Sequence, residues 1–224
     1  MIETGVFFDD IHSFRDLNLV LAPFVLPPAK PKTNYIEVPG RDGSIDATEA
    51  SGEVKYNDRE FSITFTVFPQ DELTFEERQT VVSNALNGKR CKITFDKDPD
   101  YYLEGRCIVN EHFANKKLRQ IVVSVRVAPY KLKHQETVET FELSGNEERE
   151  VILTNGKMRV VPSILVTGGK VTITHDGFSI PLEDRYLAYQ ILGIRLKEGT
   201  NVLTLKSASS VYKTVKFSYR EGDL

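Results

Sequence analysis

The sequence predicts a mainly β protein of two domains, with one α-helix in the first domain and an antiparallel β-sandwich in the second. Alternating apolar and polar residues form long runs at 61–68 and 118–128, as expected for half-buried strands. Short strand-like runs separated by turn residues fill the second half of the chain. A polar segment after Pro129 and Tyr130 separates the two patterns, which predicts domains at residues 1–130 and 131–224.

Composition and charge exclude several classes of protein. The 224 residues are 40% hydrophobic and 27% charged, so the chain can bury a core without disulfides or metals. Residues 1–130 carry 16 basic and 20 acidic side chains, and the remainder carries 13 and 12. Neither half has the basic excess of a DNA-binding domain. The apolar stretch 17–26 is too short to span a membrane and lacks a basic leader, so neither a membrane segment nor a secretory signal is predicted.

The single predicted helix follows a capping box. Thr74 and Glu77 have the spacing of that motif, and Phe75, Val82 and Leu86 follow at helical spacing. Asn87–Gly88 is a typical C-terminal stop. We expect about three to four helical turns and no other substantial helix.

The remaining predicted elements are strands. In the first domain, 90–95 and 101–109 flank a turn-rich link and are predicted to form a hairpin. In the second domain, turn residues separate five predicted strands, at 137–143, 161–167, 170–174, 201–205 and 211–219.

Two segments of the first domain are candidate contact surfaces. Residues 23–32 contain four prolines, which cannot donate to a sheet ladder. This segment is either an extended arm that lies along a neighbour or a plain connecting loop. Further on, two dipeptides suit tight turns. The candidate subunit-contact or structural-turn residues are Pro27, Pro28, Pro39, Gly40, Arg41, Asp42 and Gly43.

Catalytic and metal-binding motifs were not found in the sequence. It contains no Gly-x-Ser-x-Gly elbow, no His-Glu-x-x-His and no phosphate loop. Asp96, Asp98 and Asp100 begin like a calcium loop, but Tyr101 stands where glycine is needed and Cys107 where glutamate is needed. We therefore expect no enzyme activity, no metal and no cofactor.

The two cysteines, Cys91 and Cys107, lie sixteen positions apart in strand-like runs. No Cys-x-x-Cys occurs, so neither a zinc ribbon nor a redox motif is supported. Buried free thiols and a disulfide between neighbouring strands both remain open.

Several of these segments, in this order, resemble the distal tail protein family of siphophages. The likeness is specific in the first domain and looser in the second, where many sandwiches share Gly-x-Asn before their last strands. In the first domain it rests on residues 12–19, 38–46, 52–60, Asp98–Tyr102, Gly105–Arg106 and Ala128–Lys131. In the second it rests on Asn155–Gly156, Pro162–Val166, Gly199–Leu205 and Phe217–Glu221.

The resemblance implies a structural protein of the virion tail tip, assembled in the bacterial host cytoplasm. Family members form a homohexameric ring whose tail-tube-like first domain lines the channel and whose galectin-like or carbohydrate-module-like second domain lies outside. The implied partners are the tail tube protein, a tail-associated hub or lysin protein, and receptor-binding or baseplate proteins. DNA would pass through the ring without stable binding, and no membrane partner is implied. The slightly acidic first domain is consistent with such a conduit.

Two other functions were weighed. A carbohydrate-binding module would attach the tail to the host cell surface, with Tyr186 and Tyr189 as possible stacking residues, although the chain has no tryptophan. A glycosidase needs only two well-placed carboxylates, which composition alone does not exclude. Nothing in the residues favours either function over assembly.

Overall fold

The structure is a computed structural model that describes residues 5–67, 73–115, 119–207 and 209–224. The chain divides into two compact units, Met1–Lys131 and Leu132–Leu224. Several antiparallel sheets and one helix make up the described residues, so the mainly β prediction is confirmed.

The first unit is built on one large sheet. The elements are β1 (Val6–Phe8), β2 (Ile11–His12), β3 (Leu19–Leu21), β4 (Tyr35–Ile36), β5 (Ile45–Asp46), β6 (Arg59–Val67), α1 (Phe75–Leu86), β7 (Arg90–Phe95), β8 (Tyr101–Asn115) and β9 (Gln120–Val127). The strands of the large sheet follow the order β2-β1-β7-β8-β9-β6-β3, and β4 pairs with β5 in a separate two-stranded sheet.

Alternation along β6 and β9 creates the core of this unit. Ile63 and Phe65 on β6 are fully buried, as are Ile121 and Val123 on β9, while the residues between them face outward. Burying each such side chain stabilises the fold by roughly 1.5–3 kcal/mol. The two-residue period read from the sequence therefore marks the face of the sheet that is covered.

The helix begins and ends as its sequence predicts. The Glu77 amide donates to Thr74 Oγ1 over 3.3 Å, and the Glu77 carboxylate accepts from the Thr74 amide over 2.9 Å. The Thr74 hydroxyl, which donates to the Glu77 carboxylate over 2.7 Å, and the Thr74 amide hold the pKa of Glu77 below its ordinary value. Val82 and Leu86 are fully buried against the sheet, and Gly88 follows with a φ of +75°.

The second unit contains strands without a helix in its described residues. A short strand, β10 (Lys131–Lys133), begins at the boundary between the units. The others are β11 (Thr137–Leu143), β12 (Glu148–Asn155), β13 (Ser163–Thr167), β14 (Val171–His175), β15 (Phe178–Leu182), β16 (Tyr189–Gln190), β17 (Gly199–Ser207), β18 (Lys213–Tyr219) and β19 (Gly222–Asp223). Two four-stranded sheets have the orders β11-β18-β13-β16 and β12-β17-β14-β15.

A single apolar cluster joins the inner faces of these two sheets. Phe217 and Val215 come from one sheet, Leu203 and Leu205 come from the other, and all four are fully buried. Two sheets that share one core form an antiparallel sandwich. The galectin-like form predicted for residues 131–224 stays a prediction.

The strand boundaries differ from the predictions in particular places. The hairpin strand predicted to end at Val109 continues to Asn115, and the strands β12 and β15 were not predicted. In β12 the outward-facing Ile152 is apolar and 60% exposed, which hides the alternation. Phe68 and Leu118, predicted ends of two strands, lie outside the described residues.

Candidate assembly surface

An exposed hairpin, residues 33–49, extends from the first unit through β4 and β5. Tyr35 pairs with Asp46 and Ile36 pairs with Ile45. All residues from 31 to 46 are exposed. Its turn contains five of the predicted site residues, and Gly40 and Gly43 have φ values of +81° and +72°, which glycine adopts without strain. These five residues are Pro39, Gly40, Arg41, Asp42 and Gly43.

The hairpin leaves several large apolar side chains in solvent. Tyr35 is 58% exposed and Ile36 47%, and Val38 and Ile45 are exposed as well. A cluster of exposed apolar side chains rimmed by polar residues is typical of a protein contact surface. The hairpin has the composition of a segment that another surface covers.

Backbone hydrogen bonds fix the base of the hairpin. The Ala47 amide donates to the Asn34 carbonyl over 2.8 Å, and the Lys32 amide donates to the Lys55 carbonyl over 2.7 Å. The Asn57 amide donates to the Lys30 carbonyl over 2.9 Å. These bonds continue the ladder below β4 and β5, so the hairpin is held in a defined conformation at its base.

Arg59 anchors the proline-rich segment. Its Nη1 donates to the Pro27 carbonyl over 3.1 Å, and its Nε donates to the Pro129 carbonyl over 2.7 Å. The residue is only 4% exposed, and burial lowers the pKa of its guanidinium. Arg59 was missed by the sequence reasoning, although its phase with Ile63 in β6 places it on the inward face.

A cleft of about 380 Å³ lies beside the other two predicted site residues, Pro27 and Pro28. None of the five hairpin-turn residues lines this cleft, so the structure places the seven predicted residues in two separate groups. The cleft is lined by Pro27, Pro28, Lys30, Asn57, Asp58, Arg59, Glu60 and Arg126.

The outward face of the large sheet is uncharged at its centre, where the exposed Ile108 lies opposite Ser124. Ser62 and Ser124 share a hydrogen bond of 2.8 Å across β6 and β9, and Asn110 on β8 donates to Ser124. At one end of this face Arg126 pairs with Asp58 over 3.0 Å. The face therefore presents hydroxyl and amide groups at its centre, with the charges of Asp58, Arg106 and Arg126 beside them.

In the first unit, several residues on which the family resemblance rests stabilise the fold. A Cβ on Gly105 would lie 2.1 Å from the Arg126 carbonyl oxygen, so only glycine allows this approach of β8 to β9. The Lys131 ammonium pairs with Asp98 over 2.8 Å and lies 4.4 Å from the centre of the Tyr101 ring. These positions therefore hold the fold of the unit together.

His12 is held by hydrogen bonds at both ring nitrogens. Its Nε2 lies 3.1 Å from Asp96 Oδ2, and its Nδ1 accepts the Arg15 amide over 3.1 Å. No group of three or more metal-ligating His, Cys, Asp or Glu side chains occurs among the described residues.

Cys91 and Cys107 are free, buried thiols. Burial raises the pKa of both, and the pKa of Cys107 to about 12. A thiol with a raised pKa stays protonated at neutral pH and is a poor nucleophile. Both cysteines are free in the structure, as the free-thiol alternative expects.

One loop of the second unit presents an aromatic ring to solvent. Tyr186 is fully exposed, and Leu187 beside it is 75% exposed. The Arg185 guanidinium lies 3.3 Å from the centre of the Tyr189 ring and donates to the Leu187 and Ala188 carbonyls. The loop is held by its own side chains, so Tyr186 has a fixed support.

Comparisons with known proteins agree with this architecture. A family model described as the phage tail protein RIFT-related domain matches residues 12–144. The crystal structure of the Dit (gp 19.1) protein of SPP1, described as a paradigm of the hub adsorption apparatus in phages that infect Gram-positive bacteria, is similar in fold. Its TM-score is 0.64 over 97% of this chain and 98% of that chain, at 13% identity. Comparison with curated protein sequences finds no match. No helix in the described ranges is long and apolar enough to cross a membrane.

Proposed function

This chain belongs to the phage tail protein RIFT-related domain family, and from that membership we propose that it is a ring-forming adaptor at the distal end of a siphophage tail. As a tail component it is a structural protein of the phage. In the proposed role, copies of the chain form a homohexameric ring that joins the tail tube to the baseplate hub and the receptor-binding apparatus.

The observation that carries the proposal is the exposed hairpin. Its apolar side chains, Tyr35 and Ile36 above all, are half exposed in the isolated chain. Head-to-tail contacts between identical subunits close into a ring when the rotation between neighbours closes. A hairpin that lies on the next subunit would bury its apolar side chains and supply such a contact.

The outward face of the large sheet suits the wall of a channel for DNA. Its central hydroxyl and amide groups, on Ser62, Ser124 and Asn110, carry no charge. Each cation on a channel wall that neutralises a phosphate adds salt-dependent affinity, which would retard the DNA. We propose that this face lines the pore and lets DNA pass without stable binding.

The second unit would lie outside the ring as a galectin-like sandwich. In this position it would meet receptor-binding or baseplate proteins, while the tail tube protein and the hub or lysin protein would contact the two faces of the ring. The assembly would take place in the cytoplasm of the host. The family membership and the similarity of fold support these roles.

Negative-stain microscopy and native mass spectrometry test the ring directly. The purified chain should show six-fold rings at micromolar concentration, alone or with its tail-tube neighbour. Replacing Tyr35 and Ile36 together by serine should yield monomers, because the contact loses its apolar area. Ile152→Ser is the matched control, since Ile152 is equally exposed but lies on the sandwich. Monomers of the wild-type chain under all these conditions would overturn the proposal.

A second candidate, carbohydrate binding by the sandwich, is favoured by the free ring of Tyr186. Sugars stack on exposed aromatic rings, and Arg185 gives the loop a fixed shape. Titration of the chain with cell-wall polysaccharide tests it: saturable binding that Tyr186→Ala removes would support the attachment role. Binding that survives this substitution would place any sugar site elsewhere.

A further inference from the structure

The cleft beside Pro27 and Pro28 contains a buried cation with an unused donor. Arg59 is 4% exposed, and two of its nitrogens donate to the Pro27 and Pro129 carbonyls. Its Nη2 is buried and makes no hydrogen bond. A buried donor without an acceptor destabilises the fold, so an acceptor that reached it would bind favourably.

The charges around the cleft leave a positive excess. Arg126 pairs with Asp58 over 3.0 Å and with Glu60 over 3.5 Å. The Lys30 ammonium has no carboxylate partner among the described residues, and the partners of Arg59 are neutral carbonyls. Three cations therefore face two carboxylates, and the two unpaired cations are the ones beside the prolines.

The exposed hairpin of the same chain carries the opposite charge. Between residues 33 and 49 there are four carboxylates and one cation, Arg41. The Asp46 carboxylate already accepts the Thr48 amide over 2.9 Å. Asp42 lies at the tip of the hairpin, between Gly40 and Gly43. Asp42 does not line the cleft of its own chain, so a contact between them requires a second copy.

We propose that the cleft is a carboxylate-binding site and that its occupant is Asp42 from the exposed hairpin of a second copy of the chain. Lys30 at the rim attracts the acidic turn, and the Arg59 guanidinium forms the positively charged floor. The proposal rests on the ring proposed above and names the contact that would close it. It also gives the proline-rich segment a role, since Pro27 and Pro28 form one wall.

A charge swap tests the contact in the full-length chain. Lys30→Glu should weaken self-association at least about tenfold in sedimentation experiments, and Asp42→Lys should do the same. The double variant should recover part of the assembly, because Lys30 and Asp42 exchange their charges while Arg59 keeps its own. Lys30 and Asp42 are both exposed, so neither substitution threatens the fold. Assembly by either single variant at the wild-type level would overturn the proposal.

A probe that needs no ring separates this proposal from the previous one. A backbone-cyclised peptide of residues 33–49 should bind the intact chain, and Asp42→Asn in the peptide or Lys30→Glu in the chain should weaken binding about tenfold. Peptide binding by a wild-type chain that stays monomeric would contradict the proposed ring and support the cleft as a carboxylate-binding site. Wild-type rings would keep the ring proposal but contradict the cleft proposal if the full-length Tyr35→Ser, Ile36→Ser chain, a monomer whose cleft is free, bound no peptide. Peptide binding that was indifferent to both charge substitutions would contradict the cleft proposal in the same way.

Discussion

The exposed hairpin and the C-terminal sandwich are both made of antiparallel strands, yet their apolar side chains have opposite environments. Phe217 and Leu205 of the sandwich are fully buried between two sheets. Tyr35 and Ile36 of the hairpin are half exposed because the two-stranded sheet has no second sheet over it. The apolar residues of a strand therefore mark a surface that is stabilised by burial, and the surface that buries it need not belong to the same chain.

The two regions also differ in how their turns are held. The hairpin is fixed at its base by backbone hydrogen bonds around Asn34 and Ala47. In the sandwich, Asn201 is 3% exposed and its side chain bonds the Lys197 amide over 2.8 Å and the Lys197 carbonyl over 2.9 Å. The sandwich turn is thus part of the core, whereas the hairpin turn is free to meet another surface.

The largest expected effect on stability comes from the sandwich core. Phe217→Ala should lower the free energy of unfolding by about 3–5 kcal/mol, because the ring is fully buried and contacts Phe141 edge-on. Chemical denaturation followed by circular dichroism measures this loss. Tyr186→Ala on the same unit is the control and should change the value by less than about 0.5 kcal/mol. Equal losses would contradict the assignment of the core.

Gly105→Ala should have the next largest effect. Its new Cβ would overlap the Arg126 carbonyl oxygen, so β8 and β9 must separate, at a loss of about 1–3 kcal/mol. Gly40→Asn in the hairpin turn is the matched control, since nothing lies within 4 Å and asparagine tolerates a positive φ. Thermal unfolding should separate the two variants, and a stable Gly105→Ala chain would show that the strands can shift.

An ion pair in the second unit should make its stability depend on pH. Burial alone would raise the pKa of Glu221, but hydrogen bonds from Lys133 and Thr137 outweigh it and hold the pKa below 4.5. The stabilisation is therefore complete above pH 4.5 and is lost as the pH falls through the lower folded-state pKa. Glu221→Gln should remove about 1 kcal/mol at pH 7 and flatten this acid dependence.

Unfolding of the wild type and Glu221→Gln at a series of pH values checks this prediction. Glu148→Gln provides the comparison, since Glu148 pairs with Lys206 at an exposed site where ion pairs contribute little. A variant whose acid dependence matched that of the wild type would place the proton-linked group elsewhere.

The smallest effect on stability is expected in the hairpin. Ile36→Ser should change the free energy of unfolding of the monomer by less than about 0.5 kcal/mol, because Ile36 is already 47% exposed to solvent. The same variant should impair ring formation in negative-stain images. A large loss of monomer stability would mean that the hairpin packs on its own chain, and the contrast between the two regions would disappear.

Local patterns allowed much of the fold to be predicted. The capping box of Thr74 and Glu77, the helical spacing of Val82 and Leu86, and the two-residue period of β6 each depend on residues a few positions apart. The strand β12 was not predicted from the sequence, because the outward-facing position 152 holds isoleucine where a polar residue would mark exposure.

The candidate site was predicted in part. Pro27 and Pro28 lie at the cleft and the Pro39–Gly43 turn lies in the hairpin, but their role in subunit contact stays a prediction. Arg59 was not predicted, although it connects Pro27 with Pro129, which is 102 positions further along the chain. The periodicity of a sequence does not indicate which residues so far apart along the chain come into contact.

The sequence by itself determined the helix, its cap, the inward faces of the long strands and the turns of the hairpin, because each follows from backbone preferences and spacing over a few residues. Only the tertiary structure decided which apolar faces were covered and which charges were buried. Lys213 shows the difference: its charge predicts exposure, yet it is fully buried, and its ammonium donates to Ser207, Ser209 and Val211. Burial depends on what another segment of the chain places over a residue, and that is set by pairing between distant strands.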